Sequence, residues 1–342
     1  MQNNQSSQIA VLGAGSWGNS LAILLSQKGH QVTLWEFSVE AAEILQKTRK
    51  NLKYLGDDIV FPEALFITSE LKPAVENAEI IVLATPSHTI RSVVKNLVGI
   101  IKPDSILVNV AKGIENGTFF TMSQVIADVI PDINPNRIVA LYGPSHAEEV
   151  SRGLPTTVVS ASSDLETARK IREIFVTPMF RVYSNTDIIG VEIGGSVKNV
   201  MAIAAGISDG IGFGDNAKAA LMTRGITEIT RLGVALGAKK ETFAGLTGVG
   251  DLIVTCMSRH SRNRHVGEEI GKGKTLKQVL DSMIMVAEGV NTTKSTLGLA
   301  KKLGIDMPIT EAVHSILFED HDPKEVVKTL MTRSVKDEDW GN

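Results

Sequence analysis

Lys198 stands in EIGGSVKNVMAIAAG, residues 192–206, a stretch of small and apolar side chains. Between Gly190 and Gly206 the only other charged residue is Glu192. A lysine on a solvated helix face snorkels to water, but such a face normally carries more charge, so a partly desolvated ammonium stands beside that reading as the alternative. Desolvation lowers an ammonium pKa toward the range in which it can both give and take a proton near neutral pH. An acidic partner opposes that shift while orienting the group, and Asp251 in GVGDLIVTC (248–256) is the candidate. Lys112 in AKGIENGT (111–118) follows the apolar run SILVNV (105–110), which places it at a strand end, where open α/β sheets bind ligands. In YGPSHAEE (142–149), Gly143 and Ser145 can turn polar groups into the same crevice. SRNRH (261–265) sets Arg262 beside Asn263: a guanidinium fork grips two phosphate oxygens and the amide adds a third contact, the alternative being a surface arginine in a turn.

Proton transfer needs a companion reaction, and GAGSWG supplies one. Gly13, Gly15 and Gly18 lie between the run IAVLG (9–13) and a helix-like segment, SLAILLSQKG (20–29). The first glycine suits a tight turn, the second lets backbone approach a pyrophosphate, and the third lets helix pack closely on strand. The phosphates would rest on the helix N-terminus, where open N–H groups and the helix dipole favour an anion. A second run ends in TLWE, with Glu36 eighteen residues after Gly18. Its carboxylate either hydrogen-bonds the adenosine ribose and repels a 2′-phosphate or is an exposed acid in a turn. Phe37 adds no positive charge, while Arg49 and Lys50 follow nearby, so the choice between NAD(H) and NADP(H) stays open with a lean to NAD. With a dinucleotide bound, the lysines and Asp251 would move the hydroxyl proton while hydride passes between carbon and nicotinamide. GKGKT (271–275) fails as a triphosphate loop, because Glu268 stands where glycine is required. The seven histidines form no metal-ligand pattern, His260 and His265 being five apart, and no metal is expected. Cys256, the one cysteine, sits in an apolar stretch and reads as core.

The elements that must hold these groups fall into two halves. Up to about Asn185, β-branched runs alternate with helix-length connectors: IAVLG, QVTLW (31–35), IIVLATP (80–86), SILVNV, RIVALYG (137–143), TTVVSAS (156–162) and FRVYS (180–184). Continuous apolar runs with such connectors imply βαβ units and a largely parallel sheet covered on both faces. Beyond Thr186 the runs fade, and AKAALMTRGITEITRLGVALG (217–237) shows helical periodicity. The expected fold is an α/β Rossmann-type, doubly wound, mainly parallel sheet over residues 1–187, followed by an all-α substrate and catalytic domain over 188–342. A net charge of −3 and a pI near 6.2 give no basic field for nucleic acid, which favours a small-molecule partner. A lone cysteine, a polar start (MQNNQSSQ) and apolar windows always interrupted by Gly, Asn, Lys or Asp predict a cytoplasmic chain without membrane insertion. The charge-rich KDEDWGN tail reads as a solvated end.

Taken in order, GAGSWG, PSH (86–88), AKGIENGT, YGPSHAEEV, RVYSNTDIIGVEIGGSVKNV, GVGDLIVTC, SRNR, VAEGVNTT (286–293) and MPIT (307–310) resemble the soluble bacterial type of NAD(P)-dependent glycerol-3-phosphate dehydrogenase. The resemblance spans nearly the whole chain. It implies reversible hydride transfer between sn-glycerol 3-phosphate and dihydroxyacetone phosphate, supply of glycerol 3-phosphate for phospholipid synthesis, and a homodimer. It makes Lys198 the proton-transfer lysine, Lys112 a second lysine contacting substrate and cofactor, and Asp251 the acid near the reacting hydroxyl. It assigns Gly143, Ser145, Ser261, Arg262 and Asn263 to the phosphate substrate, with Thr255 a substrate-side group in some members. Ser16, Trp17, Lys112, Ala147, Arg262, Val286 and Glu288 fall to the cofactor, alongside the glycines, Glu36 and Phe37. Members commonly carry His or Arg where this chain has Phe37, which puts their use of NADPH in doubt here. Gly194 and Gly195 are expected to let the helix start approach cofactor or substrate. The rival readings are a β-hydroxyacid dehydrogenase of the same plan, which would lack GDLIVTC with SRNR, and a non-catalytic NAD(P) sensor.

Overall fold

The computed structural model describes residues 6–334, so the first five residues and the KDEDWGN tail lie outside the described part. All seven anticipated runs form strands: β1 Gln8–Leu12, β2 Gln31–Trp35, β4 Ile80–Leu83, β5 Ile106–Asn109, β6 Ile138–Tyr142, β7 Thr156–Ala161 and β8 Phe180–Asn185. An eighth, β3 Phe66–Thr68, was not anticipated; three residues with Phe66 exposed carry too little pattern to show in the sequence. The sheet runs β3-β2-β1-β4-β5-β6-β7-β8, with β6 and β7 antiparallel and every other pair parallel. Strand β4 is buried at all four positions because helices cover both faces of the sheet, which is why it reads as an unbroken apolar run. The order reverses between β1 and β4, and there the loops after β1, β4, β5 and β6 converge.

Among the described residues no strand follows Asn185. The helical half is arranged around one 24-residue helix, Ile188–Ile211, buried from Gly190 to Ser208. Asp187 starts it by accepting from Gly190 N at 2.9 Å, and the same carboxylate takes Lys239 N and Thr242 Oγ1. By length and composition this helix could cross a membrane, but 89% of its apolar window is buried inside the protein, as in a core helix.

Two glycine pairs let this central helix meet the Arg262–Gly271 helix backbone to backbone. A Cβ on Gly206 would lie 1.9 Å from Arg264 O, and one on Gly267 would lie 2.0 Å from Ile203 O. Gly210 and Gly271 are blocked in the same way, by Glu268 O at 2.2 Å and Ile207 O at 2.5 Å. The expectation for Gly194 and Gly195 is corrected: the room they leave is filled by protein, not ligand. A Cβ on Gly194 would strike Thr247 O at 2.4 Å, and one on Gly195 would strike the Tyr142 ring at 2.6 Å. Both glycines serve to seat the helix start against the sheet and the 246–250 turn.

Candidate active site

The glycine loop has a tight turn, an open position and a close helix contact at its three glycines. Gly13 has φ +110, a left-handed backbone, and a Cβ there would crowd Ala84 and Thr85 at 3.0 Å. Gly18 lies against Gly13 O, where a Cβ would come within 1.9 Å, so the Ser16–Gln27 helix packs directly on the turn. Gly15 faces open space, with nothing within 4 Å of a Cβ position, and it caps the helix without a side-chain bond. The amides of the first helical turn are therefore presented to a clear concavity, the setting an anionic pyrophosphate fits. Asn19 and Asn51 both donate to Ala14 O, at 3.0 and 3.1 Å, and hold the loop in shape.

That concavity is one end of a cleft of about 380 Å³ running from Glu36 and Phe37 past the glycine loop to Lys112, Lys198 and Arg262. Ser16, Trp17, Ser145, Ala147, Ser261, Asn263, Val286 and Glu288 line it too. Gly18, Gly143 and Asp251 stand behind its wall. Phe37 is 82% exposed, and its ring meets Trp35 edge-on. Glu36 turns one carboxylate oxygen to Ser38 N at 3.1 Å. Arg49 and Lys50 are committed elsewhere: Arg49 donates to Leu65 O at 2.8 Å and to Pro62 O, and Lys50 donates to Asp57 O at 2.7 Å.

At the chemical centre a single carboxylate holds both lysines. Asp251 accepts from Lys198 Nζ through Oδ1 and from Lys112 Nζ through Oδ2, each at 2.6 Å. Lys112 also donates to Gly143 O at 2.9 Å, so Gly143 acts through its carbonyl. Thr255 accepts from Lys198 and donates back to Asp251 O at 2.6 Å, which fixes its lone pair toward the ammonium. Lys198 is 5% exposed and Asp251 1%. Burial pushes the Lys198 pKa down; Asp251 opposes the shift and Lys112 adds to it, leaving the group at about 8. For Asp251 burial works the other way, but Lys112 and Lys198 outweigh it and hold the carboxyl below its ordinary value. The thiol of Cys256 is fully buried and pushed up to about 12 by burial, so it takes no part as a nucleophile.

The far end is the N-terminus of the Arg262–Gly271 helix. Ser261 caps it by accepting from Arg264 N at 3.2 Å, which leaves its own O–H free to donate. Arg262 reaches across the cleft to Val286 O at 3.0 Å. Asn263 is largely spent inside the protein: its Nδ2 donates to Asn199 Oδ1 and its Oδ1 accepts from Gly289 N, both at 2.9 Å, leaving one N–H for a ligand. Asn199, which also lines the cleft, is thereby oriented by Asn263; nothing in its sequence setting except adjacency to Lys198 marked it. Glu288 joins the two halves by accepting from Ser87 N at 2.9 Å and Ser87 Oγ at 2.5 Å. His146, Thr85 and Ser87 are further members of this region that sequence reasoning did not single out. Among the described residues no cluster of metal-ligating side chains occurs.

Comparison with known proteins gives a consistent result. Residues 8–168 match the family model described as the N-terminus of NAD-dependent glycerol-3-phosphate dehydrogenase, and residues 187–328 match its C-terminus. The chain is 56% identical over 330 residues to a protein of Pelodictyon phaeoclathratiforme named glycerol-3-phosphate dehydrogenase (NAD(P)+), covering 96% of this chain and 99% of that one. A protein of the same name from Prosthecochloris aestuarii is 54% identical with the same coverage. Among solved structures, glycerol-3-phosphate dehydrogenase from Coxiella burnetii superposes with a TM-score of 0.91 at 39% identity, covering 96% and 99% of the two chains.

Proposed function

Because the chain belongs to the NAD-dependent glycerol-3-phosphate dehydrogenase family, we propose the following reading of its activity and site. The protein is an NAD(P)-dependent oxidoreductase that interconverts sn-glycerol 3-phosphate and dihydroxyacetone phosphate. The observation that carries the mechanism is the Lys198–Asp251–Lys112 bridge, set between a dinucleotide loop and a helix N-terminus bearing Arg262. The β-hydroxyacid dehydrogenase and cofactor-sensor readings give way to it, since the match runs through both halves of the chain.

The residues divide the work as follows. Ser261, Arg262, the remaining Asn263 N–H and the open helix N-terminus bind the phosphate, and that binding energy holds the C2 carbon in place. Lys198 gives a proton to the developing alkoxide oxygen on reduction and takes it back on oxidation. Lys112 places positive charge beside the same oxygen. Asp251 lies behind the cleft wall and is a positioning residue, acting through both lysines; Thr255 fixes the Lys198 ammonium further. A nicotinamide bound in the cleft would supply or accept the hydride. Gly13, Gly15, Ser16 and Trp17 would hold the cofactor's pyrophosphate by backbone, with Gly18 supporting the turn, and Ala147, Val286 and Glu288 would line the rest of its site. Glu36 meets the adenosine ribose, and with Arg49 and Lys50 tied elsewhere NADH is the favoured cofactor.

Residues 1–187 form the dinucleotide-binding domain and 188–342 the substrate domain. The protein works as a cytoplasmic homodimer without membrane insertion and supplies glycerol 3-phosphate for phospholipid synthesis. Absorbance at 340 nm during reduction of dihydroxyacetone phosphate, with NADH and NADPH compared side by side, tests reaction and cofactor preference together. Lys198→Ala should lower kcat by on the order of 10²–10⁴-fold. A folded variant with near-normal turnover removes Lys198 from the proton path.

A further inference from the structure

Among the described side chains, nine buried nitrogen or oxygen atoms lack a hydrogen-bond partner, and only two of them, Thr85 Oγ1 and His146 Nε2, belong to residues that line the active-site cleft. Buried polar atoms are nearly always paired, so one left open at a ligand site points to the ligand as its partner. Thr85 sits against Gly13 in the cofactor end. His146 sits in the substrate end, between Ser145 and Ala147, with its ring 5.9 Å from that of His260, the residue before Ser261. It therefore stands between the lysine cluster and the phosphate-binding loop.

The substrate proposed above carries three polar groups. The phosphate is met by Ser261, Arg262 and Asn263, and the C2 oxygen by Lys198 and Lys112. The C1 hydroxyl has no partner among these, and Ser145, beside His146 in the cleft, spends its own O–H on Gly143 O at 3.1 Å. We propose that His146 Nε2 hydrogen-bonds the C1 hydroxyl and makes the enzyme selective for substrates that carry it. The inference rests on the dehydrogenase reading and extends it to specificity. Burial, with Lys198 and Lys112 nearby, lowers the His146 pKa, so the ring is neutral at physiological pH. A neutral imidazole suits a hydroxyl, which can donate or accept, better than it suits a phosphate dianion.

The test compares dihydroxyacetone phosphate with hydroxyacetone phosphate, which has a methyl group at C1 and is otherwise the same. His146→Phe keeps a ring against His260 and removes the nitrogen; His146→Gln keeps a polar head. The wild type should favour dihydroxyacetone phosphate in kcat/KM. His146→Phe should cut kcat/KM for dihydroxyacetone phosphate by about 10- to 100-fold, the cost of leaving the buried hydroxyl unpaired, and leave hydroxyacetone phosphate within about twofold. His146→Gln should recover part of the preference. NADH binding followed by fluorescence verifies that each variant is folded. Equal losses on both substrates, or none, overturn the inference while the dehydrogenase reading stands. A wild type inactive on dihydroxyacetone phosphate overturns the dehydrogenase reading and the inference with it.

Discussion

The cofactor end and the chemical end of the cleft are built on opposite principles. The glycine loop works by leaving things out: three missing side chains, an uncapped helix start and a clear space over Gly15, all within six consecutive residues. The lysine cluster works by crowding charge into a dry place, and its parts come from three distant segments, with Asp251 53 residues from Lys198 and 139 from Lys112. Cradling a pyrophosphate needs only backbone donors, which are local and identical in kind along any chain. Proton transfer needs a tuned pKa, and tuning requires burial together with an opposing charge that only the folded chain brings together.

Damage to the two ends should accordingly differ in kind. The largest effect is expected from Asp251→Ala, which leaves two ammonium groups facing each other without a counter-charge; kcat should fall by on the order of 10²–10⁴-fold while NADH still binds, as steady-state kinetics and cofactor fluorescence would show. Next comes Gly18→Ala, whose Cβ would meet Gly13 O at 1.9 Å. Overpacking of about 1–3 kcal/mol should weaken NADH binding by roughly 5- to 150-fold, with kcat at saturating cofactor nearly unchanged. A kcat loss in the second variant matching that in the first would erase the distinction between the ends.

The pH dependence sharpens it further. Lys198 must be protonated to serve reduction, and its pKa is lowered to about 8, so kcat for dihydroxyacetone phosphate reduction should fall about tenfold per unit well above that pH. Oxidation of glycerol 3-phosphate needs the neutral amine and should rise through the same pH before levelling. A common direction for both reactions would remove Lys198 as the titrating group. The smallest effect belongs to Ser87→Ala, which removes the hydroxyl that Glu288 accepts but leaves the backbone bond from Ser87 N; at about 1 kcal/mol, it should raise the KM for NADH only several-fold.

The same contrast explains what could be read in advance. Strands β1, β2 and β4 to β7 announced themselves because a sheet covered on both faces needs apolar residues at nearly every position, and β8, at the sheet edge, by its buried Phe180 and Val182 alternating with exposed Arg181 and Tyr183. Strand β3 did not, having three residues and an exposed Phe66. GAGSWG was legible because a tight turn and a helix start are local features, and Lys198 because a charge in apolar company is conspicuous. That Asp251 would hold both lysines at once could not be read from spacing. Neither could the engagement of Asn263 by Asn199 and Gly289, nor the open nitrogen of His146, since each depends on which helix faces which. Gly194 and Gly195 were misjudged for a related reason: a glycine reveals that space is needed but not what fills it.

The glycine seam between the central helix and the Arg262–Gly271 helix makes the site a ruler. Lys198 rides on the first helix and Arg262 on the start of the second, and at Gly206, Gly210, Gly267 and Gly271 the two backbones meet with no side chain between them. No change of rotamer along this seam alters the spacing of the two helix backbones, so the main-chain positions of Lys198 and Arg262 are held at a fixed separation. On the proposed reading the reach from C2 oxygen to phosphate is framed by main chain, and only the side chains of Lys198 and Arg262 are left to adapt to a substrate one carbon longer.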